Sequence, residues 1–287
     1  APSSGFPGSQ FVNIGALQNQ GLELQLRGVP IQGENVDFAL TANFSSNDSE
    51  VLEVGEGLDF ITIGSQRHAV GFPVAAWFRE KVVSAEVGPN GRAINIMCDG
   101  GVPAVAGGPP MLQGGSPVPC SQAPDVYLGR ASPKYEASLS STLTLFNRLR
   151  LYALVDYKGG HKAWDNNLRA RCQIFLNCLE TIEPENYDPV VVAQMQSSGT
   201  LVDFVINDAA FAKLREVSAS YTLPDRWVQA FGATRASVTV AGRNLHTWTD
   251  WTGLDPESFF VTQLHARLEQ DNTPQLRSFV TTFHVTF

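Results

Sequence analysis

Phe279-Val-Thr-Thr-Phe-His-Val-Thr-Phe287 decides how this chain is read. Side chains alternate across a strand, so Phe279, Phe283, Val285 and Phe287 share one face. Ser278, Thr282, His284 and Thr286 share the other. A soluble domain usually ends in a frayed polar tail. A segment that alternates as far as a bulky aromatic is expected to be a paired strand.

The same period recurs upstream. Leu22, Leu24 and Leu26 lie opposite Glu23, Gln25 and Arg27, and Val36, Phe38, Leu40, Ala42 and Phe44 lie opposite Asp37, Thr41, Asn43 and Ser45. Alternation continues through 135–145, 149–158, 217–222 and 237–240. Period two over so many segments predicts an antiparallel all-β chain with one apolar and one polar face. Two stretches fit less well. Trp77 to Val87 alternates poorly, with Ala93 to Cys98 its expected partner across Gly88-Pro-Asn-Gly91. From Phe211 onward, Lys213 and Arg215 fall on the apolar side, a position tolerable only near a membrane rim.

Composition narrows the class. Charged residues make up 17% of 287, below the ~25% of soluble domains. A net charge of −8 without a basic cluster argues against nucleic acid as a partner. No run approaches the ~18 apolar residues of a membrane helix, whereas a transmembrane barrel needs only ~10 alternating residues per strand. Ala1-Pro-Ser-Ser-Gly-Phe-Pro-Gly8 has neither the basic start nor the apolar core of a signal peptide.

Connection lengths separate a barrel in lipid from a β-sandwich. Short links at Gly28–Asn35, Gly88–Gly91, Asn147–Arg148 and Pro224–Thr234 alternate with long ones near 47–72, 99–133, 159–209 and 246–274. Tight turns at one end and long loops at the other are the plan of an outer-membrane barrel. A secreted β-sandwich binding module, the alternative, would instead turn its apolar faces toward each other. The expected count is about nine strands. An odd number does not close a single-chain antiparallel barrel, so the chain is expected to be the C-terminal part of a larger one, lying against outer-membrane lipid. Cys98 with Cys120 and Cys172 with Cys178 fall at the long-loop end and read as two disulfides; four free thiols or another pairing remain open.

Motifs make the reading specific. Asn13-Ile-Gly15 with Asn19-Gln-Gly-Leu-Glu23, Ala42-Asn-Phe-Ser-Ser-Asn47 and Leu128-Gly-Arg-Ala-Ser-Pro-Lys-Tyr135 come first. Asp156-Tyr-Lys-Gly-Gly160, the run Phe211–Pro224, and Val240–Thr249 with Gly253-Leu-Asp-Pro-Glu257 follow. In this order they resemble the barrel of SusC/RagA-like TonB-dependent transporters, across essentially the whole chain. The resemblance implies energy-coupled import of an oligosaccharide or peptide, with a surface lipoprotein as partner. It also implies a TonB-type complex acting through a plug that this chain lacks. Phe279, Phe283 and Phe287 would then be the assembly signal of the last strand, at the periplasmic side. The loop cysteines lie outside the matched motifs.

Loop candidates for ligand contact are Trp248, Asp250, Trp251, His161 and Trp164, aromatic rings and polar groups suited to stacking on a sugar or docking a peptide. Trp248-Thr-Asp-Trp251 reads equally as an interfacial aromatic girdle. Asp255 and Glu257 read as a solvated acidic face. Gly159-Gly160 is expected to let the chain turn, and Arg243-Asn-Leu245 to satisfy polar groups at the wall. No metal-ligand spacing, cofactor motif or nucleophile context is present, so no enzyme is expected.

Overall fold

The computed structural model describes residues 15–55, 57–197, 199–259 and 267–287. Asn13 and Ile14 of the first motif lie outside the described residues. Seven strands form one antiparallel wall: β1 (Ala16–Gln32), β2 (Val36–Glu53), β3 (Tyr135–Leu145), β4 (Leu149–Gly159), β5 (Phe211–Thr222), β6 (Arg235–Thr249) and β7 (Ser278–Thr286). Each pairs with its neighbours in the chain, and β1 and β7 are the edges. Among the described residues no helix is long and apolar enough to cross a membrane.

Register carries the alternation across the wall. Gln25, Asn43, Ser138, Asp156 and Lys213 lie side by side on five successive strands, on the polar face. Gln25 Nε2 donates to Asn43 Oδ1 (2.8 Å), and Asn43 Nδ2 donates to Ser138 Oγ (3.0 Å), so part of the row is a hydrogen-bond chain. The opposite face carries Leu24, Leu139, Val240 and Phe283, all exposed. A sandwich would bury that face against a second sheet; this wall leaves it bare.

The wall is two strands shorter than the alternation predicts. The segment Trp77–Val87 breaks at Glu80, and its halves join two small sheets. Ala76–Arg79 belongs to a four-stranded sheet with Phe60–Ile63, Gln66–Ala69 and Val126–Gly129. Val82–Val87 pairs with Ala93–Asp99, as the turn at Gly88 suggests, but this hairpin stands inside the connection between β2 and β3. The two expected long loops there are thus one connection, 54–134. Poor alternation was the visible sign: these strands are packed on by neighbouring connections and have no single wet face.

A bulge corrects the placement of Lys213. Against β4, Glu216 pairs with Leu154 and Leu214 with Val155, leaving Arg215 as the extra residue. An extra residue reverses the odd–even assignment beyond it. Lys213 and Phe211 therefore share the polar face with Glu216 and Ser218, and the charge does not point outward. On β6 the register shifts opposite the same place, around Asn244 and Leu245, and Asn244 has φ +52°.

Candidate functional site at the capped end

The described residues of the three long connections, within 54–134, 160–210 and 250–277, lie at one end of the wall; short turns at 33–35 and 146–148 and the connection 223–234 lie at the other. The buried apolar residues gather in the long ones. Trp77, Val126 and Leu128 from the first pack with Trp164, Val202, Val205 and Ile206 from the second and Leu268 from the third. Trp77 Nε1 donates to Lys162 O (2.9 Å), and Lys162–Asp165 pairs in parallel with Leu268–Glu269. Three connections thus fold into one cap.

Ion pairs fasten this cap to the upper ends of the strands. Lys213, whose side chain is only 3% exposed, donates to Asp255 Oδ1 (2.8 Å) and Glu257 Oε2 (3.0 Å). Arg215 donates through Nη2 to Glu257 Oε1 (2.6 Å) and through Nε to Asp156 Oδ1 (2.8 Å). Burial pushes the Asp255 carboxyl up, but the hydrogen bond from Lys213 and the amides of Glu257 and Gln275 more than offset it, so its pKa lies below the ordinary value. Glu257 is lowered in the same way, burial opposed by Arg215 and Lys213. The two carboxylates expected on a solvated face are therefore tied down. Asp48 repeats the arrangement on β2, accepting from Arg130 (2.8 Å) and Lys134 (3.2 Å). The charged residues of the matched motifs find one another: Lys213 and Arg215 meet Asp156, Asp255 and Glu257.

Both expected disulfides are formed, Cys98 with Cys120 and Cys172 with Cys178. Cys98 packs with Val82 and Leu201 at the seam between the first two connections. At this seam Asp203 Oδ2 accepts from Val82 N (3.1 Å) and Gln194 Nε2 (2.9 Å), while its Oδ1 is buried with no partner. Burial pushes the Asp203 carboxyl up to about 6, against those hydrogen bonds. Asp99 sits at the foot of the same hairpin. It accepts from the amides of Gly101, Gly114 and Gly115, each at 2.8 Å, and so closes the loop between them.

The five ligand candidates do not converge. Trp164 and Trp251 are buried inside the cap; Trp164 packs against Trp77 with ring centroids 6.0 Å apart, and Trp251 Nε1 donates to the buried Glu269 (2.5 Å). His161 is also buried, and its two ring nitrogens have no partner. Burial first, then the nearby Arg267, lowers its pKa to about 4, so the ring is neutral. These three side chains pack the cap. Trp248 pairs with Ala212 in a row that also holds Tyr157, Ala137 and Phe44. That row lies on the apolar face, with His246 edge-on to Trp248 at 4.6 Å. Of the five candidates, only Asp250 is an exposed polar group at the capped end. Gly160 has φ +74°, which fits its expected turn at the top of β4. Among the described residues no group of three or more His, Cys, Asp or Glu is placed to hold a metal ion. Glu269, Asp203 and Asp48 were not singled out by motif; of these only Asp48, beside the matched Ala42–Asn47, had a neighbouring signal.

No family model matches the chain. It is 25% identical over 268 residues to "TonB-dependent receptor P26" of Formosa agariphila, covering 87% of this chain and 26% of that protein. It is 22% identical over 260 residues to "TonB-dependent receptor SusC" of Bacteroides thetaiotaomicron, covering 85% of this chain and 24% of that one. The whole chain superposes on 31% of a chain in the RagAB peptide importer in its closed-closed state, with a TM-score of 0.75 at 19% identity, a likeness of fold. In sequence the chain resembles TonB-dependent receptors, SusC among them, over most of its length, and its fold is that of the matched part of the RagAB importer. It spans about a quarter of the length of the curated relatives it matches. In this fold the bare apolar face is the outer, lipid-facing side of a barrel-wall segment, and the cap is built from the connections at one end.

Proposed function

We propose that this chain is the C-terminal part of the barrel wall of an outer-membrane importer for a bulky nutrient, an oligosaccharide or a peptide. The observation that carries the reading is the asymmetry of the wall. Its polar face is hydrogen-bonded from strand to strand, its apolar face is bare, and its long connections are clamped into a folded cap at one end. Unpaired edges in lipid leave backbone groups unsatisfied, so β1 and β7 call for further strands to close the barrel. The cap faces the cell exterior, where its disulfides are stable, and the short turns and Phe287 face the periplasm. The cap receives the nutrient beneath a surface lipoprotein, and a TonB-type complex drives passage through a plug carried elsewhere in the protein.

The test is cellular. Cells carrying the full-length protein should hold it in the outer membrane as a heat-modifiable species and take up a nutrient only when the TonB complex is intact. Uptake that persists at the same rate without TonB would overturn the reading.

A further inference from the structure

The connection between β5 and β6, residues 223–234, is longer than a tight turn and folds to a definite side of the wall. Val217, Ala219 and Tyr221 lie on the apolar face of β5, and Leu223 continues that parity. Ala236 pairs with Val285 on the same face of β6 and β7. The helix Asp225–Gln229 buries Val228 (1% exposed) against Ala233 and Ala236, with Leu223 packed beside them. Leu223 N donates to Ala236 O (2.9 Å), and Thr234 N donates to Thr286 O (2.7 Å), which fixes both ends of the connection to the sheet. The helix is thus seated on the lipid-facing side of the wall's base, where it cannot cover the polar lumen face.

What remains uncovered on it is aromatic. Trp227 is 49% exposed and Phe231 69% exposed, with the Arg226 guanidinium 6.0 Å from the Trp227 ring centre. Phe146 in the neighbouring short turn, with Phe283 on β7 and Phe287 just beyond it, is exposed at the same end of the wall. Indole and guanidinium side by side suit the boundary between acyl chains and headgroups, where one end of a side chain is apolar and the other wet.

We propose that residues 223–234 form a foot that seats in the lipid interface at the short-turn end of the barrel, with Trp227 and Phe231 as its anchors. The occupant of this surface is the bilayer, because the foot is continuous with the face already assigned to lipid. The proposal rests on that assignment.

Site-directed spin labelling tests it in the full-length protein, reconstituted in phosphatidylcholine–phosphatidylglycerol vesicles. Labels would be placed through Trp227→Cys and Phe231→Cys, with Val240→Cys as the wall reference and Glu34→Cys as the aqueous reference. Labels at 227 and 231 should collide several-fold more with oxygen, relative to a water-soluble nickel chelate, than the label at 34 does. If they match position 34 while position 240 stays oxygen-accessible, the foot is overturned and the wall assignment stands. If position 240 also behaves as aqueous, the wall assignment falls and the foot with it.

Discussion

Wall and cap solve opposite problems with one chain. The wall leaves Leu24, Leu139, Val240 and Phe283 exposed and has no apolar interior of its own. The cap buries Trp77, Phe78, Val126 and Val205 almost completely and adds two disulfides. Each wall strand rests on its neighbours' backbones and on lipid. Each cap segment rests on particular partners tens of residues away, such as Lys213 on Asp255 or Val82 on Asp203. The wall therefore tolerates substitutions that keep polarity and parity, whereas the cap depends on individual pairs.

The largest expected break of that contrast is Lys213→Ala. It leaves Asp255 buried without its cation, and truncating one partner of a buried pair costs roughly 3–5 kcal/mol. Residues 250–259 and 267–277 should lose hydrogen-exchange protection and become open to protease in the full-length protein, while β3 and β4 keep theirs. Equal loss in β3 and β4 would mean that wall and cap are one cooperative unit.

Next in size is Val217→Lys on the bare face. Val217 lies in a middle row with Ala153, Ser141 and Leu40, so the charge would sit well inside the membrane. A cost of about 2–4 kcal/mol is expected there, read as loss of the heat-resistant folded band on gels with the cap's disulfides unaffected. The lumen-facing Ser218→Lys, one residue away, should leave that band in place.

The pH response separates two kinds of cap contact. Asp255 and Glu257 are depressed below their ordinary values, so their stabilisation is present above the unfolded pKa and is lost as pH falls through the folded one. Asp203 has the reverse sign. Its folded pKa of about 6 lies above the unfolded value, so the seam is favoured in acid and weakens as pH rises toward 6. Asp203→Asn should therefore be near neutral at pH 4 and should protect the amides of Val82–Val87 by about 1–3 kcal/mol at pH 8. Hydrogen exchange at the two pH values reads this directly, and an unchanged pH dependence in the variant would assign it to another group.

The smallest effect is expected at Arg243→Ala. Its bond to Glu216 (3.2 Å) is exposed on the polar face, and such pairs contribute less than about 1 kcal/mol. Thermal unfolding of the full-length protein should hardly move.

The wall was legible because its surroundings impose period two on every strand, so Phe38–Phe44 or Leu139–Leu145 declare their faces locally. The motifs were legible too, but not their purpose: Asp255 and Glu257 look like loop acids until Lys213 and Arg215 are seen beneath them. Lys213 was misplaced because a bulge leaves no mark on the odd–even count of the residues around it. Trp164, Trp251 and His161 looked like ligand contacts because an aromatic ring in a loop gives no sign, in one dimension, that another loop covers it. The hairpin at 82–99 was recognised as a hairpin and assigned to the wrong sheet, since strand pairing is local and sheet membership is not.

The extra residue at Arg215 works like a reading-frame shift. Below it, odd residues of β5 belong to lipid; above it, odd residues belong to the lumen. A chimera that grafts a foreign loop set onto this wall must therefore join in phase. Spliced below Arg215 from a strand without the insertion, the donor's upper segment would arrive inside out, with its clamp residues offered to the bilayer.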